Sequence, residues 1–188
     1  MDAEDRLEPA VRHPRAPAPG EQLPCHFLGC FGCGEPDFGL HMELFAGHGV
    51  SVRGRFLVTE AHQGAPGLAH GGLISASLDE LLGSLNWLLM SPAVTARLEV
   101  DFVLPIPVGS WVELHAQVEG VDGRKVHTVG SGRIENADGP VAFRGRGLFV
   151  QVPSEHFSKH GRAADVAAAE ADRAHQRQPG EPWLEVNP

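Results

Sequence analysis

Residues 70–80 read HGGLISASLDE and begin the helix around which the rest of the chain can be arranged. Before them, Gly64-Ala65-Pro66-Gly67 turns the chain, and after them no proline occurs between Leu73 and Met90. Apolar residues occupy almost every side of this stretch, which predicts one long, buried helix. Four polar residues interrupt it too often for a membrane span: Asp79, Glu80, Ser84 and Asn86.

One face of the predicted helix carries small residues with a carboxylate among them. Its members follow helical spacing: Gly72, Ser75, Ala76, Asp79, Gly83 and Asn86. An ionised carboxylate on a buried helix is costly unless it is paired or has a function. At the helix start, the backbone N–H groups of Gly71 and Gly72 are expected to be free to hold a carbonyl oxygen that gains negative charge. An amide cluster followed two turns later by an acid predicts an acyl-transfer site.

Composition limits the classes of function. The chain has 188 residues, of which 42% are apolar and 21% charged, as is normal for a soluble globular domain. Its formal net charge of −9 argues against non-specific nucleic-acid binding. We find no apolar run long enough to span a bilayer and no apolar core of a signal peptide, so we expect no membrane association and a cytoplasmic location.

The three cysteines, Cys25, Cys30 and Cys33, lie close together in the sequence. Cys30-x-x-Cys33 has the spacing of zinc ligands, and Cys25 or His26 is near. Structural zinc sites usually combine two such ligand pairs, however, and no second pair follows in the chain. We therefore expect no metal, and predict a turn-rich cap whose cysteines act as small apolar groups.

Alternating apolar residues predict strands on both sides of the helix. Two strands precede it, joined by a turn at Gly47-His48-Gly49, and four follow, with a hairpin signal at Asp122-Gly123. About six antiparallel strands and one long helix predict an α+β fold in which the sheet curls around the helix. The remaining sheet edges are of the kind that associating subunits cover.

We predict that the folded domain spans residues 25–153. Residues 1–24 are rich in Pro, Ala, Glu and Arg without a period, which indicates a disordered or loosely draped tail. Residues 154–188 form an extension that is expected to be partly helical, over the alanine-rich stretch 163–175, and to end in a tail of about a dozen residues.

In order along the chain, these features resemble the hotdog-fold acyl-CoA thioesterases over about residues 25–152. The similarity is greatest to the phenylacetate-pathway-type (PaaI-like) branch of the 4-hydroxybenzoyl-CoA thioesterase superfamily. The motifs that carry it are Cys30-x-x-Cys33-Gly34, HQGAPG at 62–67, His70-Gly71-Gly72 with Asp79, Val94-Thr95-Ala96, FVLPIPV at 102–108 and Gly123-Arg124-Lys125. Each motif alone is weak, whereas the ordered set is fairly specific.

The resemblance implies roles for individual residues. Asp79 corresponds to the catalytic carboxylate, acting as nucleophile or as general base on water, and Gly71 to the glycine whose N–H polarises the thioester carbonyl. His70 corresponds to a histidine that orients the site, and Thr95 to a Ser or Thr that helps to position water. In this family one chain supplies the amide and its dimer partner supplies the acid.

Further residues follow from the same resemblance. Gly72 belongs to the substrate-binding amides at the helix start, and Arg124 and Lys125 fall in a segment often close to the CoA phosphates. Some relatives carry, six residues before the histidine, an Asn that helps to position the nucleophile, whereas this chain has Gly64 there. The neighbouring Gln63 is the candidate to take over this role.

We therefore expect an acyl-CoA thioesterase that acts as a dimer or a dimer of dimers on an acyl-CoA or acyl-carrier substrate, with no metal or redox cofactor. Two alternatives remain open: a hotdog hydratase or dehydratase, and a non-catalytic acyl-CoA or acyl-carrier binding module. Structural roles also remain open for Asp79 as an interface acid, for His70 as a helix-terminal residue, and for Arg124 and Lys125 as solvated turn charges.

Overall fold

The computed structural model describes residues 7–176, and the side chains of residues 7–171. The strands are β1 (Glu43–Ala46), β2 (Ser51–Leu57), β3 (Ala93–Phe102), β4 (Trp111–Asp122), β5 (Lys125–Ile134) and β6 (Val141–Gln151). The helices are α1 (Gly71–Gly83), α2 (Asn86–Leu89), α3 (Glu155–His160) and α4 (Ala163–Gln176). This succession confirms the predicted order of two strands, a central helix and four strands.

All six of these strands join one sheet in the order β1-β2-β4-β5-β6-β3, and every neighbouring pair is antiparallel. The connection from β2 to β3 contains α1, which packs against β3, β4, β5 and β6. The sheet therefore curls around the helix, and the predicted α+β hotdog architecture is confirmed. The ten-residue strand β3 forms one edge of the sheet, next to α1.

A leucine face of α1 packs against glycines of the sheet. Leu78 and Leu82 are fully buried. Beneath them lie Gly130 of β5 and Gly145 and Gly147 of β6. A Cβ added at Gly145 would stand 2.3 Å from Leu78 Cδ2, and one added at Gly147 would stand 3.0 Å from Leu82 Cδ1. Glycine at these positions leaves the groove that the leucines fill.

The helix is not continuous, and the prediction of one unbroken helix to Met90 is wrong at residues 84–85. Helix α1 ends at Gly83 and α2 begins at Asn86. The Ser84 hydroxyl donates to the Leu81 carbonyl at 2.6 Å, and the Asn86 amide donates to the Gly83 carbonyl at 3.0 Å. Side chains that bond nearby carbonyls compete with the helical ladder, and glycine lowers helix propensity at the same place.

The described part of the predicted N-terminal tail lies along the sheet. The Glu8 N–H donates to the Val121 carbonyl at 2.9 Å, and the Leu23 N–H donates to the Leu44 carbonyl at 2.8 Å. These bonds extend the backbone pairing of β4 and β1, so residues 7–24 are draped over the domain.

Beyond β6, the alanine-rich stretch forms α4, as predicted. The predicted terminal tail at 177–188 lies outside the described residues, as do residues 1–6. Within residues 7–176, every helix is too short or too polar to cross a membrane.

Candidate active site

Asp79 and Thr95 meet where α1 runs beside the edge strand β3. The Thr95 hydroxyl donates a hydrogen bond to Asp79 Oδ1 at 2.8 Å. The register between β3 and β6 shifts between Thr95 and Arg97, and a bulge of this kind re-aims a side chain out of the regular alternation. One carboxylate oxygen is thus held in place, while Oδ2 has no hydrogen-bond partner among the described residues.

The small face of α1 is open rather than buried. Gly72 is exposed, and Ser75, Ala76 and Asp79 are half-buried. The prediction of a helix buried on every side is therefore wrong for this face, although it holds for the leucine face. The reason is that only the edge strand β3 lies beside the small face, so a strip next to that strand stays open to solvent or to another chain.

His70 caps the start of α1. Its Nδ1 accepts the Gly72 N–H at 3.0 Å, so a neutral ring carries its proton on Nε2. The expectation that both glycine amides are free is therefore wrong for Gly72, whose N–H is already bonded. The Gly71 N–H has no acceptor in the described part of the chain, and it lies at the positive end of the helix dipole. Gly71 is thus the amide that can hold an external oxygen.

Gln63 does not lie beside Asp79 within one chain. Its side-chain oxygen accepts the Gly67 N–H at 2.7 Å and thereby braces the turn before α1. Gly64, by contrast, packs on His70, because a Cβ added there would stand 2.8 Å from His70 Cα. A larger residue at this position, such as the Asn of some relatives, would displace the histidine.

The two parts of the predicted site, the Gly71 amide and the Asp79 carboxylate, are well separated in a single chain. Gly71 and Asp79 are eight positions apart on α1, which corresponds to about 12 Å along the axis. A hydrogen bond reaches only about 3 Å, so one carbonyl cannot contact both groups of the same chain.

Cavities adjoin both halves. A cavity of about 320 Å³ beside Asp79 and Thr95 has an apolar wall that includes Trp87 and Phe149. A second recess, of about 260 Å³, adjoins Gly71. Its apolar lining includes Phe102, Leu104 and Ile106. Apolar hollows next to a few polar groups are typical of small-ligand sites.

Arg124 and Lys125 lie in the β4–β5 hairpin, where their side chains are exposed. Arg124 donates to a β6 carbonyl at 3.2 Å, and Lys125 pairs with Asp122 at 3.7 Å. Lys125 lies opposite Val150, which lies opposite Val94. The hairpin is therefore two strands, or about 10 Å, from the part of β3 that carries Thr95.

Glu80 points away from Asp79, toward the cysteine cap. Its carboxylate oxygens lie 3.6 Å from Cys30 Sγ and 3.9 Å from His26 Nδ1. Burial raises the pKa of the Glu80 carboxyl to about 7. The prediction that the cysteines behave as small apolar groups is therefore wrong for Cys30 and Cys33, whose sulfurs lie beside the Glu80 carboxylate and the His26 ring. Glu80 lies 50 positions from Cys30, so local spacing in the sequence gives no sign of this contact.

Comparison with known proteins shows what the domain is similar to. Residues 66–141 match the family model of the thioesterase superfamily, over a segment that runs from before α1 to the start of β6. A crystal structure of a thioesterase superfamily protein is 37% identical, with a TM-score of 0.54, and the match covers 58% of this chain and 53% of that one. Residues 66–141 are therefore similar to the domains of the thioesterase superfamily.

Two further relatives show how far the similarity to the thioesterase superfamily extends. The acyl-coenzyme A thioesterase THEM4 of Xenopus laevis is 41% identical over 66 residues, which are 35% of this chain and 30% of that protein. The chain thus spans about a third of the length of this curated relative. A Streptococcus mutans protein solved with acetyl-CoA is 13% identical, with a TM-score of 0.55 and 59% and 88% coverage, and shares the fold.

Proposed function

We propose that this protein is an acyl-CoA thioesterase, which hydrolyses a thioester to a free acid and CoA. The observation that carries the proposal is a carboxylate, Asp79, held by Thr95 beside an apolar cavity in a thioesterase-superfamily hotdog domain. Thioester hydrolysis needs an activated water or nucleophile, a polarised carbonyl and a place for the acyl group. Asp79, the Gly71 amide and the cavity can supply these three requirements in turn.

The proposed chemistry follows from the hydrogen bonds of the site. Thr95 holds Oδ1 of Asp79, so Oδ2 either accepts a proton from a water that attacks the carbonyl carbon or attacks it directly. The Gly71 N–H donates to the carbonyl oxygen as it becomes negative. The carbon–sulfur bond then breaks, and the thiolate of CoA takes up a proton. If Asp79 attacks the carbonyl carbon itself, the acyl group is first bound to Asp79, and a water then hydrolyses this bond and releases the acid. His70 acts as a positioning residue, because it caps the turn that presents Gly71.

Each proposed active site lies between two copies of the chain. Gly71 and Asp79 are about 12 Å apart along one helix, so both can reach one carbonyl only if they come from different chains. The open small face of α1 lies beside the edge strand β3, and two such surfaces brought together would join one chain's Gly71 to the other's Asp79. We propose a dimer or a dimer of dimers on this basis.

The expected cytoplasmic location rests on the sequence alone and stays a prediction.

A proline at position 71 tests the shared site. Gly71 is the first residue of α1, where proline is tolerated, and the residue before it has φ −72° and ψ 132°, which suits a following proline. Gly71→Pro therefore removes the amide donor without breaking the helix, and we expect kcat to fall by roughly 10²- to 10³-fold. Gly71→Ala keeps the N–H and is expected to lose far less activity.

Co-expression of two weakly active variants then tests whether the Gly71 amide and the Asp79 carboxylate of one site come from different chains. Co-expressed Gly71→Pro and Asp79→Asn chains would form mixed dimers with one intact site, and activity is expected to return to about a quarter of the wild-type value. Each variant alone is the control. If the mixture is no more active than its components, the active site is not shared between chains.

Arg124 and Lys125 are proposed to contact the phosphates of CoA. Replacing both with alanine is expected to raise KM for acyl-CoA several-fold with little change in kcat, because contacts far from the reacting carbonyl bind substrate and transition state alike. The matched substrate is the acyl-pantetheine, which lacks the nucleotide, and its hydrolysis should not change. An equal loss with both substrates would mean that the hairpin does not contact the nucleotide.

The reaction class is tested with short, long and aromatic acyl-CoAs and one enoyl-CoA. A thioesterase releases a free thiol and an acid, whereas a hydratase adds water to the enoyl group and leaves the thioester intact. A binding module would retain the acyl-CoA unchanged. Thiol release from at least one acyl-CoA is the expected result, and hydration of the enoyl-CoA without thiol release would replace the proposal with the hydratase.

A further inference from the structure

The cap at residues 25–34 and helix α1 together present four side chains of the kinds that bind metal ions. One ligand atom from each of His26, Cys30, Cys33 and Glu80 lies within 4.8 Å of all the others. Three of these residues come from the cap, and Glu80 comes from the turn of α1 that also carries Asp79. We propose that these four groups bind one zinc ion, which fastens the cap to the central helix.

Three of the distances between ligand atoms are close to those of a tetrahedral zinc site. Zinc bonds of about 2.0–2.3 Å at tetrahedral angles separate neighbouring ligand atoms by about 3.4–3.8 Å. Here Cys33 Sγ is 3.3 Å from His26 Nδ1, and Cys30 Sγ is 3.6 Å from a Glu80 carboxylate oxygen. His26 Nδ1 is 3.9 Å from the other Glu80 oxygen. These three edges need shifts of a few tenths of an ångström, and the remaining edges, which are at most 4.8 Å long, would need to close by up to about 1 Å around the ion.

The backbone of the cap is shaped for this cluster. The Gly32 N–H donates to Cys30 Sγ at 3.3 Å, and such a bond stabilises the thiolate form that binds metals. A Cβ added at Gly32 would stand 2.6 Å from the Glu80 carboxylate, and one added at Gly34 would stand 2.3 Å from the Leu28 carbonyl oxygen. Glycine at both positions therefore lets the Cys-x-x-Cys turn close over Glu80.

The donor set favours zinc over other common cations. Two thiolates and an imidazole are soft or intermediate ligands that zinc binds well, whereas calcium and magnesium prefer sites made of oxygen atoms. A divalent ion would also offset the negative charge that the Glu80 carboxylate and two thiolates bring to one place. Four protein ligands leave no open position, which is typical of a structural rather than a catalytic zinc.

Cys25 lies at the edge of the cluster and stays outside the proposed ligand set. Its thiol donates to the Phe27 carbonyl at 3.0 Å, and its sulfur lies 3.4 Å from Cys33 Sγ. Two other arrangements are thus conceivable with Cys25: a ligand set in which it replaces Glu80, and a disulfide with Cys33. Both make different experimental predictions from the proposed site.

A zinc ion at this place would order one wall of the cavity beside Asp79. Cys25, His26 and Cys33 line this cavity together with Asp79 and Thr95. The ion would therefore act on stability and on the shape of the cavity, and its presence does not depend on whether the protein hydrolyses thioesters.

The test is the zinc content of the full chain, purified under reducing conditions after growth with added zinc. We expect one zinc ion per chain by elemental analysis, and a cobalt-substituted protein with thiolate-to-cobalt charge transfer and the intense visible absorption of a tetrahedral site. Chelation is expected to lower the melting temperature. A folded wild-type chain without zinc, which also fails to take up cobalt, would overturn the proposal.

Variants identify the ligands. Cys30→Ser and Cys33→Ser are expected to lose the metal, and Glu80→Gln should release it more readily to a competing chelator. Cys25→Ser is the matched control and should keep one zinc ion per chain. Loss of zinc in Cys25→Ser together with retention in Glu80→Gln would overturn the proposed ligand set. Thiol counting that finds Cys25 and Cys33 oxidised to each other in the purified chain would replace the metal site with a disulfide.

Discussion

Asp79→Asn is expected to lower kcat for acyl-CoA hydrolysis by roughly 10²- to 10⁴-fold while the chain remains folded. Asparagine has nearly the same shape and can still accept the Thr95 hydrogen bond through its amide oxygen. It can neither take a proton from water nor attack the thioester. The measurement is the rate of thiol release under saturating substrate, with the melting temperature of each variant measured in parallel.

Two companion variants make the comparison specific. Thr95→Val removes one hydrogen bond to a charged group, worth about 1.5–3 kcal/mol, and should therefore lower kcat about tenfold to a hundredfold. Asp138→Asn makes the same chemical change as Asp79→Asn in an exposed turn and should leave the rate unaltered. Equal rates for wild type and Asp79→Asn would remove Asp79 from the mechanism.

Leu78→Ala is expected to destabilise the fold by about 2–5 kcal/mol. Leu78 is fully buried at the centre of the helix–sheet contact, where its methyl groups fill the space that Gly130 and Gly145 leave open. Because both positions lack side chains, no neighbouring group can move in to fill the cavity. The measurement is the free energy of unfolding in urea at one fixed protein concentration, since association would also contribute to stability.

Leu57→Ala is the matched control for this prediction. Leu57 is 37% exposed at the end of β2, so the same truncation there should cost about 1 kcal/mol or less. If the two leucine variants are equally stable, the leucine–glycine contact is not the centre of the core.

The fold was predictable because its elements carry simple periods. Strand β3 alternates apolar and polar residues, turn signals separate the strands, and a proline-free apolar stretch marks the helix, so element order and sheet wrapping followed directly. The break after Gly83 did not, because it depends on where two side chains direct their hydrogen bonds. Ser84 and Asn86 are compatible with a helix in sequence, and only their bonds to nearby carbonyls show that they end it.

The candidate site was predictable in part. Asp79 and Thr95 were each singled out, and their hydrogen bond follows from one lying on the small face of α1 and the other on the adjacent edge strand. Gly72 was assigned to the substrate and Gln63 to positioning the nucleophile, but in one chain His70 accepts from the Gly72 amide and the Gln63 oxygen accepts from the Gly67 amide. Local spacing does not show which of several nearby partners a polar group will choose.

The cysteine cap shows the limit of motif spacing most clearly. Cys30 and Cys33 have ligand spacing, but the sequence contains no second pair and therefore predicts no zinc site. The structure brings His26 from the same cap and Glu80 from α1 into the missing positions. A ligand supplied by a helix 50 positions away leaves no local signal in the sequence.

The fate of a single bound thioester tests the central claim most directly. Wild-type protein in excess is mixed with one acyl-CoA at a time, the mixture is quenched at intervals, and intact acyl-CoA, free CoA and free acid are quantified. The account predicts that at least one acyl-CoA is converted by wild type to equal amounts of CoA and acid, while Asp79→Asn holds the same compound intact. Persistence of bound, intact acyl-CoA on the wild-type protein across the whole panel would contradict hydrolysis and establish a binding module.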